Sequence, residues 1–243
     1  MNFLSVDNVL VAIGDYPLSW IEFAGTVLYF ASVWLIARKN MLTWPVGIVS
    51  VILYGILFWQ IRLYSDMLEQ VYYLAVSVWG WLAWKKVRGE GRAVPTGFSR
   101  PREILAWAAF TLGAGAALGL VVARLHLWVP ALFPEPASYP FLDALTTMAS
   151  FVAMGLLARR RAESWAWWIA VDVIGVGLYW VKDVRFVAAQ YVVLLGMAAW
   201  GLWKWARPES ARAREADRRP PAPGVGRAAP ENRAAPGAGP ALP

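Results

Sequence analysis

The sequence predicts an all-α integral membrane protein. Seven transmembrane helices are expected in a 3+1+3 arrangement, with the two sets of three forming parallel repeats. Three observations lead there. The 243 residues are 59% hydrophobic and 16% charged, where a soluble domain of this size carries about 25% charge. Apolar stretches long enough to cross a bilayer, about 20 residues each, occur at 18–37, 44–61, 67–84, 103–123, 140–157, 165–181 and 186–205. Finally, the chain matches itself without gaps at an offset of 121 residues.

The segment 1–17 holds Asp7 and Asp15 and no Lys or Arg. It lacks the basic start of a cleavable secretory signal and is read as a retained segment outside the cell. The first repeat spans 18–84, with Arg38-Lys39-Asn40 dividing its first two helices. A basic loop covers 85–102, a linker helix 103–123 and a second repeat 140–205; Pro130 and Pro136 bracket the break after the linker helix. The tail 206–243 holds eight of the 16 Pro and has no aromatic residue beyond Arg207. Such a composition cannot bury enough apolar surface to fold alone, and the tail is expected to be disordered.

The offset of 121 superposes Leu35-Ile36-Ala37-Arg38 on Leu156-Leu157-Ala158-Arg159. It also pairs Trp44 with Trp165, Trp59 with Trp180, Trp79-Gly80 with Trp200-Gly201, and Trp84 with Trp205. Three helices plus one linker restore direction, so both repeats cross the bilayer in the same sense. Transporters built from parallel repeats bind substrate near the midplane, where the repeats meet.

Charge sets the orientation. Nineteen of the 23 Lys and Arg fall on the side of the helix 1–2 connection and the tail; only Arg62, Arg124, Lys182 and Arg185 fall on the other. Basic loops stay in the cytoplasm, so the N-terminus is expected outside and the C-terminus inside. This placement accounts for the net charge of +7 and removes any reason to invoke nucleic acid. The absence of Cys and the single His126 exclude thiolate chemistry and argue against a metal site. Neither a Ser/His pair nor a phosphate loop points to an enzyme, and no cofactor is expected.

Polar residues inside membrane helices are costly and mark function. Helix 3 carries Asp66, Gln70, Tyr73 and Ser77 on one face. Helix 6 carries Trp165, Trp168, Asp172, Gly175 and Tyr179 on one face, with Asp172 two turns inside the cytoplasmic end. A carboxylate at that depth costs about 2.5–3.5 kcal/mol and calls for a partner, a proton or a ligand. A carboxylate among aromatic faces suits a flat cation. Trp44 is taken with this set as a candidate aromatic wall. Glu22 and Asp143 instead lie in first helical turns, where the helix dipole favours them.

Trp44-Pro45-x-Gly47, Leu63-Tyr64 with Asp66, Gln70-x-x-Tyr73, Trp79-Gly80-Trp81-x-x-Trp84 and Glu163-x-Trp165-x-x-Trp168 together resemble the PnuC family of bacterial vitamin transporters. The resemblance covers about residues 18–205. It implies a full-length relative of the SWEET fold in the inner membrane, assembled as a homotrimer. It also implies uptake of nicotinamide riboside by facilitated diffusion, with a cytoplasmic kinase trapping the product. Family substrate contacts map onto Gln70, Tyr73, Trp165, Trp168 and Asp172. The family's best-known members are expected to carry Asn where this chain has Asp172, so thiamine and riboflavin stay open as substrates. Ion-coupled symport, through Asp172 or the Glu22/Asp143 pair, is the alternative mechanism.

Overall fold

The computed structural model describes residues 3–207 apart from 14–15, 63, 90–94, 132, 134 and 182–184. The predicted tail, beyond residue 207, lies outside the described residues. Seven helices follow a short hairpin: β1 (Val9–Ile13), β2 (Tyr16–Ser19), α1 (Trp20–Ala37), α2 (Thr43–Gln60), α3 (Tyr64–Gly89), α4 (Pro101–Trp128), α5 (Pro140–Ala158), α6 (Ser164–Val181) and α7 (Arg185–Ala206). Six of the seven, all but α3, are long and apolar enough to cross a membrane. α3 has the length, at 26 residues, but its polar residues lower its hydropathy. It also outruns the expected end at 84, because Lys86 and Arg88 in its last turn suit the negative end of the helix dipole.

The hairpin was not anticipated. β1 pairs antiparallel with β2, Val11 opposite Leu18 and Ile13 opposite Tyr16. The arm is pinned to α2, whose Gln60 side chain accepts from the Val6 amide at 3.0 Å and donates to the Leu4 carbonyl at 2.7 Å. Ser19 caps α1 by accepting from the Glu22 amide. The Tyr16 hydroxyl donates to the Glu22 carboxylate; burial, and then that neighbouring carboxylate, push the Tyr16 pKa well above its ordinary value, so the phenol stays a donor.

The helix corners are chemically alike at the repeat offset. α1 ends with Lys39 at φ 58° and α5 with Arg160 at φ 63°. Around each, the same two hydrogen bonds close the helix: Lys39 N to Ile36 O and Asn40 N to Leu35 O, then Arg160 N to Leu157 O and Arg161 N to Leu156 O. This is the Schellman closure, built twice without the usual glycine.

Tryptophans fill the bundle where α1, α3, α5 and α7 all finish. Trp44, Trp84, Trp165 and Trp205 are the largest fully buried side chains. The Trp44 ring covers Gly80, where a Cβ would run into the indole, and Trp165 covers Gly201, where a Cβ would lie 2.7 Å from the ring. Trp44 meets Trp84 edge-on at 5.3 Å and 83°, and Trp165 meets Trp205 at 5.6 Å and 84°. Trp84 Nε1 donates to Ala158 O at 3.0 Å, while Trp205 Nε1 donates to Ile36 O and Ala37 O at 3.2 and 3.3 Å. Each set therefore reaches into the other. α1 packs on α7 and α3 on α5, with α2 and α6 each packed within its own set and α4 against α5.

One corner has an added clasp. The Glu163 carboxylate accepts from the Ser99 amide, Gly97 N donates to Arg160 O, and Ala162 N donates to Gly97 O. The segment before α4 is thereby fixed to the α5–α6 turn. At the other corner, Leu42 occupies the position matching Glu163 and is 58% exposed.

Candidate functional site

Asp172 is 3% exposed on α6, two turns from its Trp165 end. The Tyr29 hydroxyl on α1 lies within electrostatic reach of Asp172, Tyr73, Tyr191 and Tyr54. Tyr191 on α7 lies within reach of Asp172 and also of Glu69 and Asp66. Tyr73 on α3 stands edge-on to Phe151 of α5 at 6.0 Å. Tyr179 stacks on Tyr191 at 5.4 Å and 18°, and the Tyr191 ring in turn closes over Gly175, where a Cβ would come within 2.5 Å. Tyr29 of α1 and Tyr191 of α7 thus reach the buried Asp172 carboxyl group of α6, and Tyr54, Tyr73 and Tyr179 join the cluster through these two tyrosines.

Towards the ends where α3 and α5 start, acids gather. Asp66, Glu69 and Asp143 lie within electrostatic reach of Tyr179. Glu69 accepts from Thr147 Oγ1 at 2.8 Å. Among the described residues no group of His, Cys, Asp and Glu could hold a metal ion.

The expected site residues divide between several places. Asp172, Tyr73 and Tyr179 belong to the tyrosine cluster, and Asp66 to its acidic approach. Trp168 is half-buried and packs against the tryptophan core. Trp44 and Trp165, each 1% exposed, sit inside that core over their glycines, two turns from Asp172 in the case of Trp165. Gln70 donates to the Asp66 carbonyl at 3.3 Å and lines an apolar groove of about 360 Å³ between α2 and α3, with Val51, Gly55 and Leu74. No described contact joins Gln70 to Asp172. Sequence reasoning missed Tyr29, Tyr54 and Tyr191. A signal existed for two of them: at offset 121, Tyr191 occupies the position of Gln70, and Ser150 that of Tyr29.

A bundle of apolar helices around a buried acid and aromatic rings fits a membrane carrier of small molecules. The profile of the nicotinamide mononucleotide transporter family matches residues 19–207, and the chain belongs to that family. It is 30% identical over 239 residues to the nicotinamide riboside transporter PnuC of Escherichia coli (strain K12), covering 88% of this chain and 99% of that protein. It is 28% identical over 207 residues to the riboflavin/roseoflavin transporter RibM of Streptomyces davaonensis, covering 84% of this chain and 92% of that one. The fold is similar to a crystal structure of the vitamin B3 transporter PnuC, with a TM-score of 0.58 and 22% identity over 76% of this chain and 80% of that one.

Proposed function

We propose that this protein imports nicotinamide riboside across the bacterial inner membrane by facilitated diffusion, with a cytoplasmic kinase trapping it as a phosphate. One observation carries the substrate choice within the family: a 3%-exposed carboxyl group, Asp172, set among tyrosines. Nicotinamide riboside is a flat cation. Its ring would replace water around Asp172 with aromatic faces and an opposite charge. Tyr29, Tyr73 and Tyr191 offer hydroxyls to the ribose. Trp168 and Tyr179 are the remaining proposed contacts from the expected set, with Asp66 at the approach; the placement of Gln70 in the α2–α3 groove and of Trp44 and Trp165 in the core favours a supporting role for these three.

In this reading α3 also spans the membrane, giving two parallel three-helix repeats around α4. The matched corners and the reciprocal Trp84 and Trp205 bonds support that arrangement. The basic corners and tail lie in the cytoplasm, the hairpin and acidic end outside, and the assembly is a homotrimer.

Counterflow of labelled nicotinamide riboside in liposomes tests the proposal, and no exchange would reject the substrate. Thiamine exchange in its place would keep the cation logic and change the vitamin. Riboflavin, suggested by the likeness to RibM, is neutral and gains little from Asp172. Ion coupling through Asp172 would make uptake follow an imposed pH or sodium gradient; indifference to both is the facilitated-diffusion result.

A further inference from the structure

The two seams between the repeats carry different chemistry. The α3–α5 seam is bonded along its length: Thr147 Oγ1 donates to Glu69 at 2.8 Å, Tyr72 OH to Phe151 O at 2.7 Å, and Trp84 Nε1 to Ala158 O at 3.0 Å. The α1–α7 seam is its counterpart at offset 121. There, Val193 and Leu194 replace Tyr72 and Tyr73, and neither side chain can donate a hydrogen bond. Thr26 stands where Thr147 does, but bonds Tyr54 of its own repeat at 2.7 Å. The tryptophan bond does recur, from Trp205 to the end of α1.

We infer that α3–α5 is the hinge of the transporter and α1–α7 the seam that opens to the outside, pivoting on the Trp205 bond. Tyr29 and Tyr191 stand on the two sides of that seam, both within reach of Asp172. Parting α1 from α7 therefore uncovers the carboxyl group directly. Breaking α3–α5 would strip two more bonds than that, and would leave the buried Ala158 carbonyl without its donor. The inference rests on the proposed transport function and orientation. A facilitator must return empty, so the unliganded protein samples both states.

The chain has no Cys, so spin labels can be placed on paired cysteines without prior removal of native thiols. Val27 and Val193 report on the α1–α7 seam, Leu68 and Asp143 on the α3–α5 seam; the three apolar positions are 48%, 52% and 63% exposed and Asp143 is exposed on the first turn of α5, so the labels stay out of the packing. Electron–electron distances in lipid nanodiscs without ligand should be spread or two-peaked for 27–193, by about 5 Å or more, the scale of one helical turn. The 68–143 distribution should be a single narrow peak. Equal spread in both pairs, spread in 68–143 alone, or two narrow peaks would overturn the inference. Added nicotinamide riboside should then narrow the 27–193 distribution. Failure of that last step alone counts against the substrate and leaves the seam standing.

Discussion

Removing the indole N–H of Trp84 while keeping an aromatic ring should weaken the bundle more than any conservative change on its surface. Trp84 is fully buried, and the Ala158 carbonyl it bonds at 3.0 Å lies on a residue 1% exposed. That carbonyl has no helical amide to turn to, because Ala162 N donates to Gly97 O instead. In Trp84→Phe the acceptor is left dry and unpaired, at about 1–3 kcal/mol. The lost pyrrole ring adds a void next to Trp44 and Trp205, at about 1 kcal/mol for each methyl-sized volume left empty. A total of about 2–4 kcal/mol corresponds to a fall of roughly 4–16 °C in melting temperature for a chain of this size. Thermal unfolding in detergent, followed by tryptophan fluorescence, measures it. Trp203→Phe is the control, since that ring is 52% exposed. If Trp84→Phe melts within a degree or two of Trp203→Phe, the inter-repeat bond carries no stability and the reasoning fails.

Trp205→Phe should cost less than Trp84→Phe, because its donor is shared between two acceptors at 3.2 and 3.3 Å; the reverse order by the same melt would show that bond length is no guide here. Gly201→Ala puts a methyl 2.7 Å from the Trp165 ring and should destabilise by about 1–3 kcal/mol through overpacking, read as a lower melting temperature. Asp172→Asn should weaken equilibrium binding of nicotinamide riboside by roughly 10-fold or more, as expected for losing about 1.4 kcal/mol or more of charge attraction at a partly shielded site. Riboflavin binding should be indifferent to it, and calorimetry on both ligands decides. Glu163→Ala unclasps Ser99 from the α5–α6 corner and should cost about 1.5–3 kcal/mol for a charge-assisted bond, seen as faster proteolysis of the segment before α4.

Seven helices were legible, and six of them are apolar enough to span a membrane, because each needs only a run of apolar residues. The recurrence of tryptophan and glycine at one offset has a structural reason: Trp44 needs Gly80 opposite it, and Trp165 needs Gly201. The same pairs explain why Trp44 and Trp165 were expected at the site. Periodicity puts Trp165 on the face of Asp172, but a glycine 36 residues further on, which makes a seat for its ring, leaves no trace in helical spacing. The hairpin escaped notice because Val9 to Ile13 is a five-residue apolar run, too short for period alone to separate strand from helix. Tyr29 and Tyr191 escaped because each stands among apolar neighbours on its own helix. Their role comes from helices brought together across the repeat boundary.

Lys39 and Arg160 hold left-handed backbone at matched corners, a geometry that costs a side-chain-bearing residue roughly 1 kcal/mol or more and glycine almost nothing. An anionic leaflet returns about 1 kcal/mol for each basic residue near its surface. In the proposed orientation both corners face that leaflet, and backbone discomfort and headgroup attraction are then matched in size. The two residues would there serve as moorings, recovering against the lipid phosphates what they lose in local ease.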